Sequence, residues 1–369
     1  MRNFCRQFAG CAGVLCLILQ GCTQRDPSVS ATEAKITGSA GDPPVELRAQ
    51  WQANHLYDVS LQFGQSTQVR NRNTDDDFDQ DITFRLDFNG GVKPEVSRPA
   101  NSNLWLNLEV TGVMFGLIRG EVPLIYYDTR SQVGRLEDDQ RTTEALEKLV
   151  GSRWNYSVDR EGAVLSARTE TNSPGLRALN SDAKVMGLSL VRRLFSPQYF
   201  RPFLEFSSLP QEPVKIGESW PVERYFNAGT VGTVLFKGRC TFKGWQMNSG
   251  RRCARLDVAG DLKTSNRLPG KLGKMIKGSS ELEKGTLKGQ IWYDPEQKLP
   301  VQSITELNMM TVVTSRSKVP RGAGGTNVVA GVTNGPVITR LSVPLSQRIK
   351  LKITDLGAQL PALKPSATP

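Results

Sequence analysis

The sequence predicts a mainly β fold, a β-rich α+β chain of curved antiparallel sheets in two consecutive halves with a few short helices between them. Three observations lead there. Period-two alternation recurs: Tyr57, Val59, Leu61 and Phe63 alternate with Asp58, Ser60 and Gln62, and Leu104, Leu106, Leu108 and Val110 with Trp105, Asn107, Glu109 and Thr111. The 34 Gly and 21 Pro supply many turns. Helical patterns are confined to two regions, so an antiparallel sheet with one buried face is the economical arrangement.

Taken in order, the chain opens with Arg2 and Arg6, an apolar run from Phe8 to Leu19, and then Leu19-Gln20-Gly21-Cys22. A charged start, a short apolar core and a small residue before the cut make a secretory signal. Its ending resembles a bacterial lipobox, in which cleavage falls before the cysteine and that residue is acylated. Residues 1–21 are thus expected to be a signal peptide. Cys22 is the expected lipidation site, holding the protein to the membrane at about 0.8 kcal/mol per buried CH₂. Thr23 rather than Asp follows, which by resemblance to known sorting favours the outer membrane, facing the periplasm. Residues 22–46 read as the lipidated cysteine and a flexible tether, rich in Ser, Thr, Ala, Gly and Pro. Such a coil reaches roughly 25 to 30 Å.

Residues 47–206 form the expected N-terminal β half. Strands are predicted around 57–63, 82–88 and 104–111, with a turn at Asn89-Gly90-Gly91. A hairpin follows from Trp154–Val158 and Ala163–Ala167 around Asp159-Arg160-Glu161-Gly162. Thr142 or Thr143 before Glu144 to Val150, then Gly151, predicts a short capped helix. Residues 183–195 and 196–206 read as a helical pair, with Ser196 as N-cap and Pro197 at the first helical position.

Residues 207–357 form the expected C-terminal β half, with strands near 231–245, 252–262, 285–293, 299–313 and 336–354. In the last, Ile349, Leu351 and Ile353 face one way and Arg348, Lys350 and Lys352 the other. Gly322 to Gly335 reads as a loop and residues 358–369 as a disordered tail.

Three segments together resemble an uncharacterised family of bacterial exported proteins and lipoproteins, known only as a domain of unknown function. They are Pro213-Val214-Lys215-Ile216-Gly217-Glu218-Ser219-Trp220, the hairpin Val158 to Val164, and Gly289-Gln290-Ile291-Trp292-Tyr293-Asp294 running on to Pro300-Val301. The likeness covers most of residues 50–315. It implies curved antiparallel sheet with helices, similar in architecture to the open half-barrels of periplasmic lipoprotein carriers, and implies no activity.

Chemistry is constrained by scarcity. The 369 residues include one histidine, His55, so no multi-histidine metal site can form within the chain and a His-based triad could use only that residue. His55, at the start of a strand, reads as structural. Asp75, Asp77 and Asp79 begin a calcium-loop spacing, but Gln80 and Leu86 stand where Gly and Glu are needed, leaving a solvated acidic loop. Gly322-Ala323-Gly324-Gly325 lacks the spacing of a nucleotide loop. Glu218 and Asp294 lie among turn residues and read as local hydrogen-bond acceptors, with Trp220 and Trp292 as core aromatics. No catalytic residue, metal or cofactor is expected.

Of six cysteines, Cys5, Cys11 and Cys16 leave with the signal and Cys22 carries lipid, so Cys240 and Cys253 remain. An oxidising envelope permits a disulfide, yet in a regular hairpin the two face opposite sides. Either a bulge brings them together or they stay unpaired. Lys and Arg exceed Asp and Glu by 47 to 36, a net charge of +11. Arg267, Lys271, Lys274 and Lys277, interleaved with Leu268, Leu272, Met275 and Ile276, are the candidate contact with an anionic surface.

The expected function is a lipid-anchored envelope protein with a non-enzymatic binding or structural β domain. Its partners are the membrane, through the N-terminal lipid, and a lipid or an envelope protein; export excludes nucleic acid. The alternative is a periplasmic carrier of lipid or lipoprotein acyl chains with residues 183–206 as a lid, and a third reading is a carboxylate-dependent envelope hydrolase. A groove lined by Phe, Leu and Met favours the carrier, a filled core with an apolar outer patch the scaffold, and two carboxylates converging in a cleft the hydrolase.

Overall fold

The computed structural model describes residues 35–69, 78–94, 103–131, 140–169, 195–228, 231–265, 280–317 and 337–358. The signal and Cys22, the stretch 266–279 with Arg267, Lys271, Lys274 and Lys277, the 183–194 part of the helical pair, Gly322 to Gly335 and the tail from 359 lie outside them.

The N-terminal run of elements is β1 (His55–Val69), β2 (Phe78–Pro94), β3 (Leu104–Arg119), β4 (Val122–Asp128), helix α1 (Gln140–Glu147), β5 (Arg153–Val158), β6 (Val164–Thr169) and helix α2 (Pro197–Leu204). The C-terminal run is β7 (Ser219–Asn227), β8 (Thr233–Asn248), β9 (Arg251–Thr264), β10 (Glu281–Asp294), β11 (Leu299–Ser317) and β12 (Val337–Ala358). All pair antiparallel in one open sheet of order β6-β5-β3-β2-β1-β12-β11-β10-β9-β8-β7, with β4 also on β3. The outer edge of β3 is shared: β5 lies along Leu104–Glu109 and β4 along Met114–Arg119. The two runs meet at a β1–β12 seam, where Val59, Leu61 and Phe63 stand opposite Ile353, Leu351 and Ile349. The alternation read from the sequence therefore places apolar rows of both halves side by side on one inner face.

That face is covered by α2. Ser196 caps it, its Oγ accepting from the Tyr199 amide, and Pro197 occupies the first turn, where its missing N–H costs nothing. Tyr199, Phe200 and Leu204 are buried. Phe200 stacks on Trp154 with centroids 5.1 Å apart and meets Phe84 at 6.1 Å, while Phe63 and Phe84 stack at 4.8 Å. On one side the helix closes edge strand β6: Gln198 Nε2 donates to the Ala167 carbonyl at 2.8 Å and Arg201 to that of Val164. On the other, Phe203 meets Phe226 of edge strand β7 at 6.1 Å, and Trp220 Nε1 donates to the Ser208 carbonyl at 3.0 Å. The sheet curls far enough for one short helix to reach both edges, and so blocks pairing at β6 that an open edge invites.

The structure departs from the sequence reading at several points. Gly90 and Gly91 do not form a turn but continue β2 to Pro94, opposite Leu108 and Asn107 of β3. A Cβ on Gly90 would stand 1.9 Å from the Asn107 carbonyl oxygen, so glycine here permits close approach of two strands rather than reversal. β4 and β7 add two strands to those read from the sequence; they carry Pro123 and Pro221, and both lie at the sheet's periphery, where a missing N–H is tolerated. Residues 35–46, which composition assigns to the tether, are seated on the sheet: Thr37 and Trp245 exchange backbone hydrogen bonds of 2.8 Å, and Val45 bridges Val214. Gly38 and Gly244, both at positive φ, make this possible: a Cβ on Gly244 would meet the Thr37 carbonyl oxygen at 2.6 Å, and one on Gly38 would meet Ile216 at 2.6 Å. The helix expected near 142–150 is α1, ending before Gly151 at φ +81°.

The disulfide does not form; Cys240 and Cys253 are both free and buried. Cys240 stands opposite Val258, whereas Cys253 stands opposite Gln246, and the bulge between Phe242 and Gly244 leaves them several residues apart along the hairpin. At about 3.3 Å per residue their separation exceeds the roughly 7 Å Cα limit for a bridge.

Candidate binding cleft

The inner face differs between its halves. Over the N-terminal strands the rings of α2 fill it, leaving about 10 Å³ of space between Val59, Leu61, Phe88, Leu108 and Phe200. Over the C-terminal strands a small cleft, with about 50 Å³ of room for water-sized groups, lies between the end of α2 and strands β7 to β11.

The period of two builds its wall and floor. On β7, Val222, Arg224 and Phe226 share the inward parity and line the cleft. Arg224 pairs with Phe236, Cys240 with Val258, Val258 with Gly289 and Gly289 with Thr305, so one inward row runs across the strands from β8 to β11. Leu287, Ile291 and Ser303 complete the floor, and Phe203, Ser208 and Leu209 form the roof. Gly289, Ser303 and Thr305 are small, which is why a hollow persists where the other half is packed; a Cβ on Gly289 would already come within 3.3 Å of the Ile304 carbonyl oxygen.

Arg224 is the charged member of this lining. Its Nη2 donates to Ser208 Oγ, while Nε is sealed from solvent and has no hydrogen-bond partner among the described residues. Burial pulls the guanidinium below its ordinary range, an effect opposed by Glu205. Glu205 is itself engaged, accepting from Ser207 Oγ at 2.8 Å and lying 3.9 Å from Arg201 Nε. Burial likewise pushes the Cys240 thiol, on the same wall, up to about 12, with Arg224 working against the rise. No Asp or Glu lines the cleft among the described residues.

The residues singled out from the sequence stand elsewhere. His55 Nδ1 lies 2.9 Å from Asp355 Oδ2 across the end of the β1–β12 seam, and Asp355 Oδ1 also accepts from the Gly357 amide. Glu218 accepts from the Lys215 amide at 2.8 Å, closing the turn before β7. Asp294 Oδ1 accepts from the amides of Glu296 and Gln297, and Oδ2 from Arg251. Trp292 is buried on the outer face under Arg255, its Nε1 donating to Gln246 Oε1 at 2.7 Å. Asp79 and Asp81 belong to β2, and Asp75 and Asp77 lie outside the described residues. Among the described residues no group of His, Cys, Asp or Glu is placed to hold a metal ion, and no helix is long and apolar enough to cross a membrane. The sequence reading did not single out Arg224, although Val222-x-Arg224-x-Phe226 carries the signal: a cation at the apolar parity of a strand.

No family model matches the chain, and no curated protein matches it. Among solved structures, a DUF1329 family protein from Desulfovibrio piger aligns at 8% identity and TM-score 0.18, covering 84% of this chain and 88% of its own. The Pseudomonas aeruginosa protein OccK5 (OpdH) aligns at 7% identity and TM-score 0.19 over 84% of this chain and 100% of its own. OpdL of the same organism aligns at 8% and 0.15 over 82% and 99%. At these values the likenesses carry no weight for fold or activity, which rest on the strand pairing and the cleft.

Proposed function

We propose that this chain is a lipid-anchored protein of the bacterial envelope, sited at the outer membrane and facing the periplasm, whose β domain is a non-enzymatic binding module for an acyl chain. The observation that carries the binding reading is apolar space on the sheet: a small cleft beside Arg224 lined mainly by Phe, Leu, Val and Ile, and a groove of about 630 Å³ along β1 and β9 to β12, lined by Met309, Met310, Pro344 and Leu345 beside polar groups and within the range of small-molecule sites. The anchor reading rests on Leu19 to Cys22 and the charged, apolar run before them. The non-enzymatic reading is supported by the engagement of Glu218 and Asp294 in local hydrogen bonds and by the carboxylate-free lining.

The deciding experiment is native mass spectrometry with lipid extraction on the mature chain from residue 22, carrying Cys22→Ser and purified from an envelope-competent host. The expected result is one co-purified or reloaded acyl ligand per chain. A ligand-free protein that takes up no added fatty acid or fatty alcohol overturns the binding reading. Attachment is checked separately: label from an alkyne-bearing palmitate enters the wild-type chain and not Cys22→Ser.

A further inference from the structure

We propose that a separate groove, at the end of the sheet where Leu47 to Ala53 cross between the two halves, binds a phosphorylated sugar; this does not depend on the acyl reading above. The groove has a volume of about 490 Å³, within the range of small-molecule sites, and Gln50, Trp51, Gln52, Leu104, Arg160 and Lys298 line it. Three parts of the chain far apart in sequence are fastened together to make it. The Gln50 amide donates to the Lys298 carbonyl at 2.8 Å, Gln52 Nε2 to the Gln297 carbonyl at 3.3 Å and Tyr293 Oη to the Arg48 carbonyl at 2.7 Å, which ties the crossing segment to the β10–β11 turn. On its other side Trp51 packs on Phe206 with centroids 5.6 Å apart, and the Phe206 amide donates to the Gly162 carbonyl of the β5–β6 turn at 2.9 Å. The groove is therefore held in shape without a ligand, which lowers the cost of binding one.

Charge gives the ligand its class. Arg160 comes from a turn of the N-terminal half and Lys298 from a turn of the C-terminal half; both are exposed, and neither enters an ion pair among the described residues. No Asp or Glu lines the groove among the described residues. Asp159 and Asp294 of the same two turns accept the amides of Ala163 and of Glu296 and Gln297. Lys298 has φ +54°, a left-handed conformation that glycine adopts more easily, so the turn alone would be better served by glycine and the lysine is kept for its side chain. A guanidinium fork and an ammonium on one groove suit the oxygens of a phosphate ester. The volume is more than a bare phosphate fills, and the amides of Gln50 and Gln52 both donate and accept, the complement of sugar hydroxyls. Such a ligand is either a soluble ester or the headgroup of a glycolipid.

The test is calorimetric titration of the mature Cys22→Ser chain with glucose 1-phosphate, glucose and inorganic phosphate. The expected result is the ester binding at least about tenfold tighter than either part, the scale of one charge-assisted contact. Arg160→Gln and Lys298→Gly are each expected to weaken the ester about tenfold, and Lys298→Gly keeps the turn because glycine takes its φ readily. Lys288→Gln, which removes an exposed charge on β10 outside the groove, is expected to leave the affinity unchanged. Equal binding of the ester and of either part, an affinity that survives both groove substitutions, or an equal loss in Lys288→Gln overturns the proposal and leaves the acyl reading untouched. Phosphatidylcholine vesicles with and without a phosphorylated glucosamine lipid separate the two sources. Capture by the phosphorylated vesicles alone, blocked by glucose 1-phosphate, assigns the headgroup; ester binding without vesicle capture assigns the soluble sugar.

Discussion

The two halves of the inner face are built from similar long strands, yet one is filled by the rings of α2 and the other keeps a small cleft. In the N-terminal half Phe63, Phe84, Phe88 and Trp154 rise from the sheet to meet Tyr199 and Phe200 of α2. In the C-terminal half Gly289, Ser303 and Thr305 keep the floor low, and only Phe203, Ser208 and Leu209 reach over it. The difference follows from reach. A helix of eight residues is about 12 Å long, whereas the ten spacings from β6 to β7 span about 48 Å along the sheet. One helix can close both edges of the curl but can fill only one half of it. Packing and vacancy are thus allotted by which strands lie beneath the rings of α2.

Substitutions can test that contrast, and the largest effect is expected where packing is densest. Phe200→Ala, removing a ring held by Trp154, Phe84, Phe88 and Tyr199, should cost about 3 to 5 kcal/mol in urea unfolding, the scale of a buried Phe truncation that leaves a rigid cavity. Phe236→Ala, beside an existing hollow and with Phe226 as its ring neighbour, should cost roughly 1 to 2 kcal/mol less than that, since less packing is lost. Equal costs would mean that the cleft is as tightly packed as the plug. Arg224→Met should raise stability by about 1 kcal/mol by removing a poorly satisfied buried cation, seen as a higher urea midpoint at unchanged slope. A lower midpoint would make Arg224 a structural residue.

The smallest effect concerns pH. Burial pushes the Cys240 thiol up to about 12 and that of Cys253 up to about 11, from an ordinary 9.0. The folded chain holds these protons more tightly than the unfolded chain does. Their contribution is therefore intact below about pH 9 and declines as pH rises through 11 to 12, the sign that linkage requires for raised values. Tyr156 and Tyr199, buried beside the plug and raised for the same reason, act in the same direction. Thiol titration at pH 8 should find neither Cys240 nor Cys253 reactive in the native chain and both reactive in urea; fast native labelling would contradict their burial.

Much of the fold is legible because a half-buried strand writes its inward face every second residue. Tyr57 to Phe63, Leu104 to Val110 and Ile349 to Ile353 declare both their strands and the face that becomes the core, and Ser196-Pro197 declares the start of α2. Where the reading fails, a local cue has two meanings. Asn89-Gly90-Gly91 has the composition of a turn and the function of a close strand crossing. Residues 35–46 look like a tether because the partners that hold Thr37 and Val45, Trp245 and Val214, lie far along the chain.

The site itself was hardest to foresee. Single residues that draw attention in the sequence, His55, Glu218, Asp294 and Trp292, are engaged in local or cross-strand contacts, while the cleft is made by residues unremarkable one at a time. The sequence by itself determined that the chain would form amphipathic antiparallel strands with two helical interruptions, because hydrophobic period and capping are properties of neighbouring residues. Only the tertiary structure decided that β1 would meet β12, that α2 would bridge β6 and β7, and that a hollow with Arg224 in its wall would remain over β8 to β11. Those outcomes depend on register and reach between segments distant in sequence, which no local pattern encodes.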